Sequence, residues 1–242
     1  MVRFRVGKSY RFKRMKVAAI IFSRMASSRL PGKALRHIAG EPLIKRVINR
    51  VSKVKKLSTV VVATSNSKND DRLVEYIQSL NIEVFRGAAH DVLNRAVSCA
   101  SYLGVDNFIR INGDSPLIDP ELLEKGIEMW REPNLDLISN VFPRTYPVGT
   151  SVEIIKTDSL KKILSLTVDN CDREHVTRFF YRNPEKFRIL NFESGRSELR
   201  EVRLAVDTEE DLERIDWLFK EFGGLINFEM AAEKSLLWSR VE

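Results

Sequence analysis

Apolar residues fall into two rhythms along the chain. Lys16–Phe22 (KVAAIIF) and Thr59–Ala63 are short unbroken apolar runs, the length of strands buried on both faces. Pro42–Val54 instead places Ile44, Val47, Ile48 and Val51 on one face of a helix, and Asp70–Leu80 does the same with Leu73, Val74, Ile77 and Leu80. The alternation continues through a short strand at Ile82–Phe85, a helix at Asp91–Leu103 and a strand at Asn107–Ile111. Asp119 followed by Pro120 reads as the cap and first position of the next helix. Such alternation predicts an α/β domain of three layers, a mostly parallel sheet with helices on both faces. Right-handed crossovers then bring the carboxyl ends of the strands to one edge, where ligands bind.

Beyond about Leu135 the rhythm changes. Asp136–Asn140 and Ser151–Lys156 read as strands around the turn Tyr146-Pro147-Val148-Gly149. Asp158–Leu166 and Arg173–Tyr181 read as helices, and Phe187–Phe192 and Val202–Val206 as strands. Thr208-Glu209-Glu210-Asp211 resembles a capping box, opening a helix that turns Leu212, Ile215, Leu218, Phe219 and Phe222 inward. With no internal repeat and no low-complexity linker, residues 16–242 read as one domain. An insertion at about 140–200 is expected to serve as a lid or dimer arm, and residues 1–15 stand apart as a basic extension.

A chain of 242 residues with 43% apolar content can bury a sizeable core. No apolar run reaches the length of a membrane span, so no membrane partner is expected. The net charge of +7 suggests nucleic acid at first sight. However, residues 1–16 hold seven basic side chains (Arg3, Arg5, Lys8, Arg11, Lys13, Arg14, Lys16) and no acid, which accounts for the whole excess. The remainder is balanced and makes a poor nucleic-acid surface. Within the extension Val2, Phe4, Val6, Tyr10 and Phe12 alternate with basic residues. Three readings stay open for it: a frayed tail ahead of a start at Met15, an extra edge strand or dimer arm, and an Arg-rich transit segment. Cys99 and Cys171 form no C-x-x-C pair and signal neither a disulfide framework nor zinc, so a cytoplasmic location is expected.

Three stretches carry the chemistry. The loop Ser23-Arg24-Met25-Ala26-Ser27-Ser28-Arg29-Leu30-Pro31-Gly32-Lys33 follows the first strand at the ligand edge. Its cations, hydroxyls and backbone N–H groups are what a triphosphate requires. It matches neither the G-x-x-x-x-G-K-[ST] nor the G-x-G-x-x-G pattern. A solvated basic turn would share its composition but not explain its place at the favoured edge. The second stretch, Ile109-Arg110-Ile111-Asn112-Gly113-Asp114, ends a strand in an aspartate that can hold Mg²⁺ beside phosphates, or that simply turns the chain before Pro116. The third, Ala205-Val206-Asp207-Thr208, ends a predicted strand in a second aspartate; alone it is a helix-entry residue, while with Asp114 it makes a two-carboxylate metal site.

The first loop is similar to the R-x-x-S-x-R-x-P-x-K signature of the cytidylyltransferases that activate acidic sugars, the KDO and acylneuraminate enzymes. The chain most resembles the related spore coat polysaccharide biosynthesis protein F family. That pattern is echoed in VFRGAAHDVLNR (84–95), GDSPLIDP (113–120), YPVGTSVE (146–153) and DREHVT (172–177), over Met15 to roughly Asp211. The resemblance implies a Rossmann-like fold of the nucleotide-diphospho-sugar transferase type, a dimerisation arm and a homodimer. It implies that Arg24, Ser27, Ser28, Arg29 and Lys33 grip the phosphates of CTP. Arg86, the segment from Asp91 to Arg95, and Asn112 would lie near the base and ribose. Asp114 and Asp207 would bind Mg²⁺, and Glu153, Arg173, Glu174 and His175 would line the pocket of a sugar acid. Arg29, Lys33 and Asp114 would then carry the catalysis. The sequence departs from the family at Asn112, where KDO enzymes have Gln, at His90 in place of an acid, and at Thr150-Ser151 in place of Leu-Asp.

The expected reaction is attack of a sugar hydroxyl on the α-phosphorus of CTP, releasing pyrophosphate in the service of surface polysaccharide or glycoconjugate synthesis. Three rivals stand beside it: a nucleotidyltransferase acting on a sugar phosphate, a glycosyltransferase-like protein using a finished nucleotide sugar, and a non-catalytic nucleotide sensor.

Overall fold

The computed structural model describes residues 17–130 and 134–238, so the basic extension lies outside the described residues. Seven strands form one sheet: β1 Val17–Phe22, β2 Leu57–Ser65, β3 Glu83–Gly87, β4 Asn107–Asn112, β5 Leu137–Ser139, β6 Glu153–Lys156 and β7 Ile189–Asn191. Their spatial order is 3-2-1-4-6-5-7. Strands β3, β2, β1 and β4 are parallel; β6 runs antiparallel to both β4 and β5, and β7 runs parallel to β5. The expected α/β architecture with a mostly parallel sheet is therefore present. The segment at about 140–200 supplies β6 and β7 to this same sheet.

Nine helices are described: α1 Leu43–Val51, α2 Asp71–Ser79, α3 Val92–Tyr102, α4 Pro120–Met129, α5 Thr157–Leu166, α6 Asn170–Glu174, α7 Arg178–Arg182, α8 Glu209–Phe222 and α9 Phe228–Ser235. β1 shows why they form two layers. Side chains alternate across a strand, so Val17, Ala19 and Ile21 join the core beneath α1, α2, α4, α8 and α9, while Ala18 and Ile20 join the core beneath α3, α5 and α7. A strand buried on both faces has no polar side to show, hence its unbroken apolar run.

Two expected elements differ. Residues Arg173–Tyr181 do not form one helix: α6 stops at Glu174, His175 leaves helical geometry at φ −105, ψ 89, and α7 starts at Arg178. The β-branched pair Val176 and Thr177 is buried at the break, where packing inward wins over helix continuity. Residues Val202–Val206 do not add a strand either. Val202, Leu204 and Val206 do alternate into the core, but β4 already has β1 and β6 as neighbours. The segment touches Val148 through a single bridge, Val148↔Arg203, and then donates Val206 N–H to the Asp114 carbonyl at 2.9 Å. The capping box is as expected: the Thr208 side chain accepts from Asp211 N–H, and the Asp211 carboxylate accepts from Thr208 N–H.

Gly149 makes that crossing of the 202–206 segment feasible. Its φ is +103, and a Cβ there would lie 2.6 Å from both the Leu204 carbonyl carbon and the Ala205 nitrogen. Backbone strain and overlap with backbone atoms act together, so Gly149→Ala is predicted to cost roughly 2–4 kcal/mol of stability. Urea unfolding checks this; a loss below about 0.5 kcal/mol, the range of neutral surface changes, would show that the turn is not constrained.

Candidate active site

Strand order reverses between β1 and β4: the chain moves outward from β1 to β2 and β3, then returns to the other side of β1 for β4. This is a topological switch point, where the carboxyl ends of neighbouring strands leave a crevice. A cleft of about 300 Å³ opens there, within the size range of ligand pockets. Arg24, Arg29 and Lys33 enter it from the first loop, Arg95 from α3 and Arg110 from β4, against Asp114 and Glu174. Gly113 lets the β4 end approach β1. A Cβ on it would meet the Phe22 carbonyl oxygen at 2.8 Å and the Ser23 Cβ at 2.7 Å. Gly113 N–H instead donates to that carbonyl at 2.8 Å, which fixes Asp114 beside the loop.

The loop is held from below by Asp70, a residue the sequence did not single out. Asp70 is almost fully buried and accepts from Met25 N–H at 2.7 Å, Thr64 Oγ1 at 2.8 Å, Ser65 N–H at 3.0 Å and the Ser65 hydroxyl. Burial disfavours its charge, but these donors outweigh burial and hold its pKa below the usual carboxylate range. Gly32, at φ 70, donates to the Met25 carbonyl at 3.0 Å and closes the loop on itself. Among the described residues, the backbone N–H groups of Ala26, Ser27, Ser28 and Arg29 have no protein partner. Ser27 Oγ accepts from Leu30 N–H at 3.4 Å.

Lys33 crosses the cleft. Its Nζ lies 2.9 Å from Asp114 Oδ2, 2.9 Å from Asp207 Oδ1 and 2.9 Å from the Val206 carbonyl. Asp207 Oδ2 also meets Arg203 at 2.8 Å and the largely exposed Arg29 at 3.2 Å. Burial pulls the Lys33 pKa down, but Asp114 and Asp207 outweigh it and leave it raised. The Asp207 pKa is lowered in turn, against burial, by Lys33, Arg29 and Arg203. The oxygens around this ammonium are also of the kind a divalent cation takes: two carboxylates from separate elements converge on one point.

On the opposite wall, Arg24 Nη2 pairs with Glu174 Oε1 at 2.6 Å, and His175 lines the cleft exposed. Glu153 lies underneath and does not line it. It sits opposite Arg110 in the β4–β6 register, accepts from Arg110 Nη1 at 2.5 Å, and accepts the Tyr181 hydroxyl at 2.7 Å. Burial would raise the Glu153 pKa, but Arg110, Tyr181 and Thr177 hold it lowered, while burial and the same carboxylate push the Tyr181 phenol up.

Several expected residues are elsewhere. Arg86 turns away to the Ser65 and Ser67 carbonyls and Asp71. Asp91 caps α3 through Asn94 N–H and pairs with Arg173 at 2.6 Å, and Arg173 also donates to the Thr167 and Leu164 carbonyls. These two link α3 to α6 outside the cleft lining, and Asn112 ends β4 without lining it. Arg95 does line it, its Nη1 bound to the Ala88 carbonyl at 2.9 Å and its pKa lowered by burial. Arg110 also lines the cleft, although the sequence alone assigns it no role. The signal for it was a charged residue between Ile109 and Ile111 in a buried strand.

The cytidylyltransferase family model matches residues 18–239. Among relatives, the spore coat polysaccharide biosynthesis protein SpsF of Bacillus subtilis is 31% identical over 84% of this chain and 86% of its own. The 3-deoxy-manno-octulosonate cytidylyltransferase of Geobacter metallireducens is 32% identical over 77% of this chain and 67% of its own. Among solved structures, a cytidylyltransferase from Leptospira borgpetersenii superposes with a TM-score of 0.87 at 28% identity, covering 94% of this chain and 95% of that one.

The Glu153 shift has a measurable consequence. A carboxylate with a lowered folded pKa stabilises the native state above its unfolded pKa, near 4.5, and loses that contribution as pH falls through the folded value. Glu153→Gln leaves Arg110 without its counter-charge and is predicted to cost about 3 kcal/mol at pH 7. The gap between wild type and variant should narrow below about pH 4.5. Thermal unfolding from pH 3.5 to 8 reads this out, and a gap that stays constant with pH would remove the ionised Glu153.

Proposed function

The chain belongs to the cytidylyltransferase family, and from that premise we propose that it joins CTP to a sugar acid, forming a CMP-sugar and releasing pyrophosphate. The observation that carries the reading is the cleft at the β1–β4 switch point, where five cationic side chains meet Asp114, with Asp207 bound to two of those cations. Arg24, Arg29 and Lys33 of the first loop offer the positive charge that a triphosphate needs, and the free N–H groups at 26–29 add neutral donors for its oxygens.

In this reading Arg24, Arg29, Lys33, Ser27 and Ser28 hold the phosphates. A sugar hydroxyl attacks the α-phosphorus: its O–H bond breaks, an oxygen–phosphorus bond forms, and the α–β bridging oxygen leaves with pyrophosphate. Such transfers depend on positioning and on neutralising charge rather than on a covalent enzyme intermediate. Asp114 and Asp207 would hold Mg²⁺, which when bound neutralises phosphate charge. Lys33 would then move from the carboxylates to the phosphates. Glu174 and His175 face the acceptor side. Arg86, Asp91 and Arg173 lie outside the lining and take no part in this reading. The proposal takes the protein to be a cytoplasmic homodimer; light scattering at a single-chain mass would remove the dimer.

A thermal-shift comparison of CTP, UTP, GTP and ATP with Mg²⁺ tests the nucleotide, since a ligand at a hundred times its Kd stabilises by about 2.7 kcal/mol. CTP is expected to give the largest shift. Pyrophosphate release with CTP across sugar acids and sugar phosphates tests the acceptor. Turnover with sugar phosphates alone, or none with any acceptor, would overturn the sugar-acid reading. Arg29→Ala is predicted to lower kcat/KM about a hundredfold or more without unfolding the protein, as loss of a charge-stabilising donor does. Lys33→Met leaves Asp114 and Asp207 without their shared cation. Its melting temperature is predicted to fall, and to recover with Mg²⁺ more than the wild type gains; equal gains would remove the two-carboxylate metal site.

A further inference from the structure

Arg110 and Glu153 are fixed face to face by backbone register on neighbouring antiparallel strands. The two side chains are unequally placed: Arg110 keeps 18% of its side-chain surface and lines the cleft, whereas Glu153 keeps 3% and does not. Glu153 is also fully engaged. Arg110 takes one oxygen and the Tyr181 hydroxyl the other, and Tyr181 in turn shares a 2.8 Å hydrogen bond with Ser139. The carboxylate is a support, with no lone pair directed at a ligand.

Arg110 is in the opposite condition. A guanidinium carries five N–H donors in a rigid planar fork. Among the described residues only Arg110 Nη1 has a protein partner, and Arg110 Nε is buried with none. The buried Nε is closed to a ligand, but Arg110 lines the cleft and its Nη2 has no protein partner, which leaves that part of the fork to a group arriving with the substrate. Of the other cations, Lys33 and Arg29 are committed to Asp207 and Arg24 to Glu174, while Arg95 bonds the Ala88 carbonyl through Nη1 and, like Arg110, buries an unpartnered Nε; what sets Arg110 apart is the buried carboxylate fixed behind it. Arg110 is tied to the far side of the α6–α7 break through Glu153, whereas Arg24 meets the near side at Glu174. Glu153 is bonded by Tyr181 of α7, and the same break brings Glu174 and His175 to the cleft.

We propose that Arg110 reads the acceptor, its guanidinium held level by Glu153 and Tyr181 so that its free donors bind the carboxylate of the sugar acid. The inference rests on the reading of the acceptor as a sugar acid. Arg110 is then the residue that separates acidic from neutral sugars, because a neutral acceptor leaves its free donors unpaired. Glu153 and Tyr181 are positioning residues.

The test compares wild type, Arg110→Gln, Arg110→Lys and Glu153→Gln by calorimetry. The ligands are CTP with Mg²⁺, then 3-deoxy-manno-octulosonate and N-acetylneuraminate, each beside its methyl ester, which keeps the shape and loses the charge. CTP affinity is expected to stay within about threefold in all variants, which also reports that they fold. Binding of the acid that the wild type prefers should fall at least about thirtyfold in Arg110→Gln, less in Arg110→Lys, and the wild type should reject the esters. In Glu153→Gln the KM for the acid should rise while kcat changes little, a split that general loosening of the fold would not give. Acid binding that survives in Arg110→Gln overturns the proposal. So does a parallel loss of CTP affinity, which would make Arg110 a phosphate contact, and so does a wild type that binds CTP but neither acid. A wild type that binds the acids but not CTP overturns the nucleotide reading instead and leaves the Arg110 comparison valid.

Discussion

One ammonium group ties the site together. Lys33 Nζ is bonded to Asp114, Asp207 and the Val206 carbonyl, and these three contacts join the first loop, the end of β4 and the entry to α8. The three stretches are far apart in sequence, and only the first two flank neighbouring strands of the sheet. The third reaches the site because Gly149 admits the 204–205 backbone and because Val206 N–H finds the Asp114 carbonyl. The capping box then pins Asp207, whose own N–H is accepted by Asp211. Such a half-buried cluster is demanding: its charges tolerate burial because each has partners, and removing one leaves the others uncompensated.

The sheet dictates where that cluster stands. β1 is flanked by β2 and β4 in parallel register from Val17 to Phe22, so the chain leaves β1 and β4 side by side. The switch point between them is the one place where crossover connections diverge and leave a crevice. Gly113 allows the two strand ends to touch, and Asp70 anchors the departing loop to the end of β2. The loop's cations are thus positioned by backbone contacts at both of its ends.

How much of this could be read from the chain follows from how local each signal is. The buried strands and amphipathic helices were legible because each writes its own period into five to ten residues. The first loop was legible because its charges directly follow a strand. The break at His175 was not, since Val176 and Thr177 look tolerable in a helix until the core they fill is known. The 202–206 segment carries a true strand period and still joins no sheet, because pairing depends on a free neighbour edge and β4 has none. Arg86 looked like a site residue by its motif, yet Asp71 and two carbonyls claim it. Arg110 and Glu153 acquire meaning only through β4–β6 register, which no local pattern encodes.

That pair also explains how a cleft so rich in cations can exist before any ligand arrives. Five unpaired cations around one small volume would repel one another and be poorly solvated. Instead four of the five are matched, Arg24 by Glu174, Lys33 and Arg29 by Asp207, and Arg110 by Glu153, while Arg95 bonds the Ala88 carbonyl. The matches differ in kind. Glu174 and Asp207 share the cleft with their partners or border it, so an incoming anion can take over those cations. Glu153 is buried on the far side of Arg110 and cannot be displaced without uncovering the core. Ligand binding at Arg24, Arg29 and Lys33 therefore exchanges one partner for another, whereas at Arg110 it adds a partner to a group already fixed in place. A donor that need not reorganise discriminates most sharply by charge, so in the proposed reaction the buried carboxylate behind Arg110, rather than the larger number of loop cations, would give this cleft its means of choosing an acceptor.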